Sequence, residues 1–233
     1  MTEDGRITFM SKQDLQTFFK TDPDGYFHSF NSVNLHAFGH STVDDLIKSS
    51  VNVADDFSES EKNKIIKACG KVDQYLFNFN KIQQFPSKKV ADIPWVFAKT
   101  KGSVYEKGYP HTRLNIIFLN DRVIPNKSLA KILIHEKVHI FSRLYPNDMN
   151  KWISDNGYIS YRKLEDYPLA RKNPDLDGIV YLDKNNKETL AVYPNSQPAS
   201  MEEAIFNGGD YRLEHPNETL AYEVDHHFKE DNK

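Results

Sequence analysis

The chain contains a single cysteine, Cys69, in 233 residues. That excludes an internal disulfide framework and any metal site built from several thiolates, so a bound metal has to be held by histidine and carboxylate, and a reducing, intracellular compartment is the simplest home. Long apolar runs are also missing. None reaches the roughly 18 residues that a membrane helix needs, and the polar, acidic start MTEDGRITFMSKQ lacks the basic head and apolar centre of a secretion signal. Nor is there an excess of one charge: 30 Lys and Arg against 33 Asp and Glu leave a formal −3 and a pI near 6.3. With no basic stripe, nucleic acid and anionic membranes are not expected partners. No repeat or low-complexity linker divides the sequence, which reads as one domain, 1–233, with residues 1–57 as a possible N-terminal helical extension.

The most informative stretch is NKSLAKILIHEKVHIFSRLYP at 126–146. Leu129, Ile132, Leu133, Ile140, Phe141 and Leu144 recur at helical intervals, which predicts a core helix. Within it, His135, Glu136 and His139 stand in the spacing His-Glu-x-x-His. Residues four apart on a helix differ by only about 40° in direction and roughly 6 Å in height, so both imidazoles leave the same face and can grip one metal ion. Glu136 is rotated away from that face, too far to be a third ligand but well placed to take a proton from a water held by the metal.

Around this helix the pattern predicts helices over Lys12–Lys20 after Ser11 and Val43–Lys48 after Ser41. A longer helix over about 59–80 opens with the capping box Ser58 and Glu61. Strands are expected at Ile93–Ala98 and Leu114–Leu119. The second, placed just before the metal helix, would offer an edge along which an extended peptide could lie. Residues 147–175 read as broken helix. NPDLDG at 173–178 turns the chain into a strand at Ile179–Leu182, with Leu190–Tyr193 as its hairpin partner. Asp175, Asp177 and Gly178 do not keep the spacing of a calcium loop. His28, His36 and His40 share no ligand spacing, and His111 and Arg113 read as capping or salt-bridge residues.

A catalytic zinc with two histidines needs a third protein ligand and an open position. The last apolar helix, EHPNETLAYEVDHHF at 214–228, offers Glu218, Glu214, Glu223, His215 and His226.

IHEKVH followed by NETLAYE resembles the gluzincin branch of the HExxH zinc peptidases, in which a glutamate from a second helix completes the site. The resemblance implies that Asn217-Glu218-x-x-Ala221 makes Glu218 the third ligand, with Ala221 small enough to let two helices approach. It implies an α+β, zincin-like fold: a small twisted sheet over the HExxH helix, with a second core helix carrying the third ligand. It also implies a metallopeptidase holding one Zn2+ ion and acting on a peptide or protein, with Glu136 as general base and Tyr211 as oxyanion donor by likeness to an upstream tyrosine of some gluzincins. His215 is the alternative donor. Two positions depart from the pattern: Lys137 is charged where an uncharged residue is usual, and Tyr222 replaces an aspartate, leaving Tyr222, Glu223 and Asp225 as candidates to orient His139. Two other classes fit the same residues, a non-catalytic binding or scaffold protein on such a fold and a zinc amidase or deacylase.

Overall fold

The computed structural model describes residues 5–206 and 209–229 and has an α+β architecture built on small sheets. The central sheet starts with β1 (Ile7–Phe9) and crosses through α1 (Lys12–Thr21), α2 (Ser32–Ala37) and α3 (Val43–Val53) to the short β2 (Ala54–Asp55). Next come α4 (Glu59–Asn78) and α5 (Ser87–Ala91), then β3 (Trp95–Thr100), β4 (His111–Arg113) and β5 (Ile116–Asn120). The strand order is β1-β3-β5-β4, with β1 and β5 parallel to β3, β4 antiparallel to β5, and β2 antiparallel to β3. Residues 7–9 and 54–55 therefore belong to the central sheet, and the segment expected as an extension is threaded into it.

Local chemistry explains the boundaries. Ser11 and Thr42 cap α1 and α3, accepting from the backbone N–H of Asp14 and Asp45. The cap of α3 is thus Thr42 rather than Ser41. The Ser58–Glu61 capping box forms in full at the start of α4. The strand expected over Leu114–Leu119 begins two residues later, because Leu114 has φ 52 and makes a left-handed turn that folds His111–Arg113 back as β4. The sequence carries no Gly at that turn, so the hairpin gave no warning.

Beyond the sheet lie α6 (Leu129–Leu144), α7 (Pro146–Asp155) and β6 (Ile159–Lys163). The last was expected as helix; it is exposed along its whole length, so no apolar alternation marks it. β7 (Ile179–Leu182) pairs with β6 and with β8 (Glu188–Thr189), whereas β9 (Ala191–Val192) pairs with β10 (Ile205–Phe206). The expected hairpin between Ile179–Leu182 and Leu190–Tyr193 is therefore corrected: residues 188–189 take that place. The chain closes with α8 (Pro216–His226), with Pro216 in its first turn and His215 as its N-cap.

One core lies between α4, α6, α8 and the sheet, and joins Ile65, Val72, Phe97, Ile117, Leu133, Val138, Leu220 and Val224. A second packs α1–α3 on the other part of the sheet through Leu15, Phe19, Phe27, Leu46, Tyr105 and Phe118. No helix among the described residues is long and apolar enough to cross a membrane.

Candidate metal centre

Helix α6 is buried almost all round, which fixes its rotation and aims its two histidines at α8. Ala221 is fully buried where the helices meet, and Glu218, one turn before it, points back at α6. His135 Nε2 lies 3.3 Å from Glu218 Oε2 and His139 Nε2 lies 3.7 Å from Glu218 Oε1. One donor atom from each of the three residues falls within 4.8 Å of the other two. Both ring nitrogens of His139 are buried without a hydrogen-bond partner. Two imidazoles and a carboxylate are the donor set that zinc prefers when thiolates are absent, and an orphaned imidazole beside a carboxylate fits a ligand site better than a packing role.

The other residues considered for the third ligand are engaged elsewhere or point away. Glu214 is buried and binds Arg171 at 2.7 Å. Glu223 and His226 are exposed. His215 accepts from the backbone N–H of Asn217 through Nδ1, and its Nε2 sits 3.1 Å from Asp177 Oδ1. With both ring nitrogens committed to the helix cap and to Asp177, His215 is not among the residues lining the cleft.

Asp225 lies two turns along α8 from Glu218 and holds His135, with Oδ2 3.1 Å from Nδ1. Among the three orienting candidates it is the one hydrogen-bonded to a histidine, and its partner is His135 rather than His139; Tyr222 meets the same ring edge-on at 4.5 Å. Burial alone would lower the His135 pKa, but hydrogen bonds to Asp225 and Glu218 raise it well above the ordinary value. His139, with no such partner, is pushed down to about 4 by burial. Glu218 is drawn down to about 2, because the neighbouring histidines outweigh its own burial.

Glu136 is buried, and its Oε2 has no partner. Burial, followed by the negative charge of Asp175, raises its pKa well above the carboxylate range. A carboxyl of this kind is poised to hold a proton. Lys137, the charged departure from the motif, is fully buried on another face, where Nζ donates to Asp73 at 2.6 Å and to the carbonyl of Ala91, and lies over the Trp95 ring. The motif's helix is therefore buried with its lysine paired, not exposed by it.

The centre opens into a cleft of about 590 Å³ lined by His135, Glu136, Glu218, Tyr222, Asn173 and Asp175 near the donors and by Glu106, Met201 and Phe206 elsewhere. Tyr211 stands on its wall, about half exposed, with its ring 5.3 Å from that of Tyr222. Part of the turn before it, residues 207–208, lies outside the described residues. The NPDLDG loop proves to be part of the site. Asn173 donates to Glu218 at 3.3 Å, and Asp175 is hydrogen-bonded to Thr112. Nothing in the spacing of that loop pointed to α6; its Asn and Asp content signalled only a turn.

The strand at the cleft is β4, because β5 is interior to the sheet. On its outer edge Thr112 donates its N–H to Asp175 at 2.8 Å and accepts from Arg143 Nη2 at 3.2 Å. Pro110, next in the same outward alternation, has no N–H. The sheet edge expected to receive a substrate strand is therefore already capped at its centre. His111 and Arg113 serve structure: His111 sits between Tyr105 and the Tyr109 carbonyl, and Arg113 is buried against Asp22 and Asp24 beneath three aromatic rings.

Comparison with protein-family models, with curated proteins and with solved structures finds no match for this chain.

Proposed function

We propose that this chain is a zinc-dependent hydrolase that cleaves peptide bonds, with His135, His139 and Glu218 as the residues that hold the ion. The observation that carries the reading is the convergence of those three donors across two core helices, with His139 Nε2 buried and unpartnered beside Glu218. When bound there, zinc supplies Lewis acidity toward a carbonyl and lowers the pKa of water toward about 7.

The chain's own residues account for the proton. Glu136 is adjacent to His135 but stands outside the group of three donors, with Oε2 unpartnered, so its carboxylate is free to accept a proton from the attacking water and return it to the leaving amine. Its burial and the nearby Asp175 favour holding that proton between the two events. Asp225 keeps the His135 ring turned so that Nε2 faces Glu218. Tyr211, on the cleft wall, is the donor we assign to the developing oxyanion; His215, committed to the cap of α8, supports Glu218 by fixing the start of its helix.

The capped edge of β4 favours one variant of the same chemistry, a zinc amidase or deacylase whose substrate enters the cleft without adding a strand. The decisive substitution is Glu136→Gln. It should keep one zinc per chain by elemental analysis while cutting turnover of a casein-derived peptide mixture or of acylated-lysine peptides by about a hundredfold or more. Undiminished cleavage by that variant would remove Glu136 as the base.

A further inference from the structure

At one part of the cleft the chain makes an unusual backbone excursion. Glu106, Lys107 and Gly108 have φ of 47, 53 and 78, three left-handed residues in succession, and only the third is glycine. A side chain at Gly108 would put its Cβ 2.9 Å from the Gly102 carbonyl oxygen, so the turn is held tightly. Non-glycine residues disfavour this conformation, and such backbone tends to persist where it places a side chain for a purpose. Here the excursion inserts Glu106, only 3 % exposed, into the cleft wall.

The Glu106 carboxylate accepts one hydrogen bond, from the Tyr26 hydroxyl to Oε1 at 2.9 Å. Oε2 has no partner among the described residues, and no cation there lies within ion-pair distance of either oxygen. Arg171 on the same cleft is already held through two nitrogens by Glu214. Glu202, also on the wall, takes a hydrogen bond from the Tyr109 hydroxyl and pairs with no cation among the described residues. The same cleft is also lined by Pro110, Met201 and Phe206, apolar side chains suited to packing a methylene stem.

We infer that this part of the cleft is a subsite for a basic side chain of the substrate, with Glu106 receiving a guanidinium or ammonium head while Met201 and Phe206 pack its stem. The inference rests on the hydrolase reading for the word substrate, but the subsite itself needs neither metal nor turnover. A buried carboxylate lacking its cation is costly, and a ligand that brings the cation removes that cost. Burial pushes Glu106 up to about 7, against the opposing Tyr26 hydrogen bond and the fields of Arg171 and Arg113, with Asp175 adding to the rise. The ionised form is the one that binds a cation, so affinity should strengthen as pH rises through about 7. Tyr26 and Tyr105, which also face this turn, are both raised above the ordinary tyrosine value and stay neutral across that range.

The test is calorimetric titration of the full chain, metal-free and zinc-loaded, with acetyl-arginine-methylamide and with its neutral isostere acetyl-citrulline-methylamide. The arginine probe should bind about tenfold to a hundredfold more tightly, and Glu106→Gln, which keeps the Tyr26 hydrogen bond, should erase the difference without lowering the melting temperature by more than a few degrees. Equal binding of the two probes by the wild-type chain overturns the subsite without any variant. Arginine-selective binding with no peptide or amide cleaved leaves the subsite standing and sinks the hydrolase reading. Cleavage indifferent to basic residues, with no probe selectivity, does the reverse.

Discussion

The two carboxylates around His135 have different tasks. Glu218 faces Nε2 and Asp225 faces Nδ1, so one side chain is positioned to share a metal and the other to fix the ring. Replacing Asp225 with Asn should therefore weaken zinc binding by about tenfold to a hundredfold, read by competition with a chromophoric chelator, while the chain stays folded. An unchanged zinc affinity would reduce Asp225 to a packing residue. At this scale the sequence was a good guide wherever spacing on one helix decides geometry: the four-residue interval of His135 and His139 and the Asn-Glu-x-x-Ala run at Glu218 are the two signals whose side chains the fold brings together. It was silent on Asp175 and Glu106, which reach the site from loops. It also offered Asp225 to His139, whereas the structure gives it to His135, because that choice depends on how α6 and α8 cross.

Between elements, the joint most open to measurement is that of α4 with α6. Lys137 Nζ is buried and pushed down to about 8 by desolvation, against the pull of Asp73 on α4. Asp73→Ala leaves that ammonium without its counter-charge and should cost about 3 kcal/mol in urea unfolding. Lys137→Met, which removes the charge and keeps the volume, should be close to neutral, within about 1 kcal/mol. Similar losses in both variants would mean that the pair contributes net stability. Lys137 departs from the motif by its charge, yet a lysine can be buried wherever a neighbouring helix supplies an acid, and that neighbour is 64 residues away in the chain. The same logic explains the sheet. Parallel β3 and β5, rich in apolar residues, were legible as strands, whereas β6 is solvated on both faces and β4 is three residues long.

For the molecule as a whole, the three side chains of the proposed site come from α6 and α8, so on that reading zinc should act as a clasp on the larger core. At a free concentration of about a hundred times Kd it adds about 2.7 kcal/mol, or about 5–10 °C in melting temperature for a chain of this length. The pH dependence has a definite sign. The folded pKa of His135 is raised above 6.5, so the stability that its ion pairs give the metal-free chain is fully present below 6.5 and fades as pH rises through the folded value. Zinc must displace that proton, so the difference in melting temperature between loaded and metal-free protein should widen from about pH 5.5 to 8. A difference that is flat across this range would remove His135 from the donor set. One further consequence concerns company rather than catalysis. A groove that borders an open ribbon invites whatever backbone drifts past, sister copies in a crowded solution included; by plugging Thr112 with its own Asp175 and Arg143, this chain can keep its doorway wide while giving stray neighbours no seam to stitch onto.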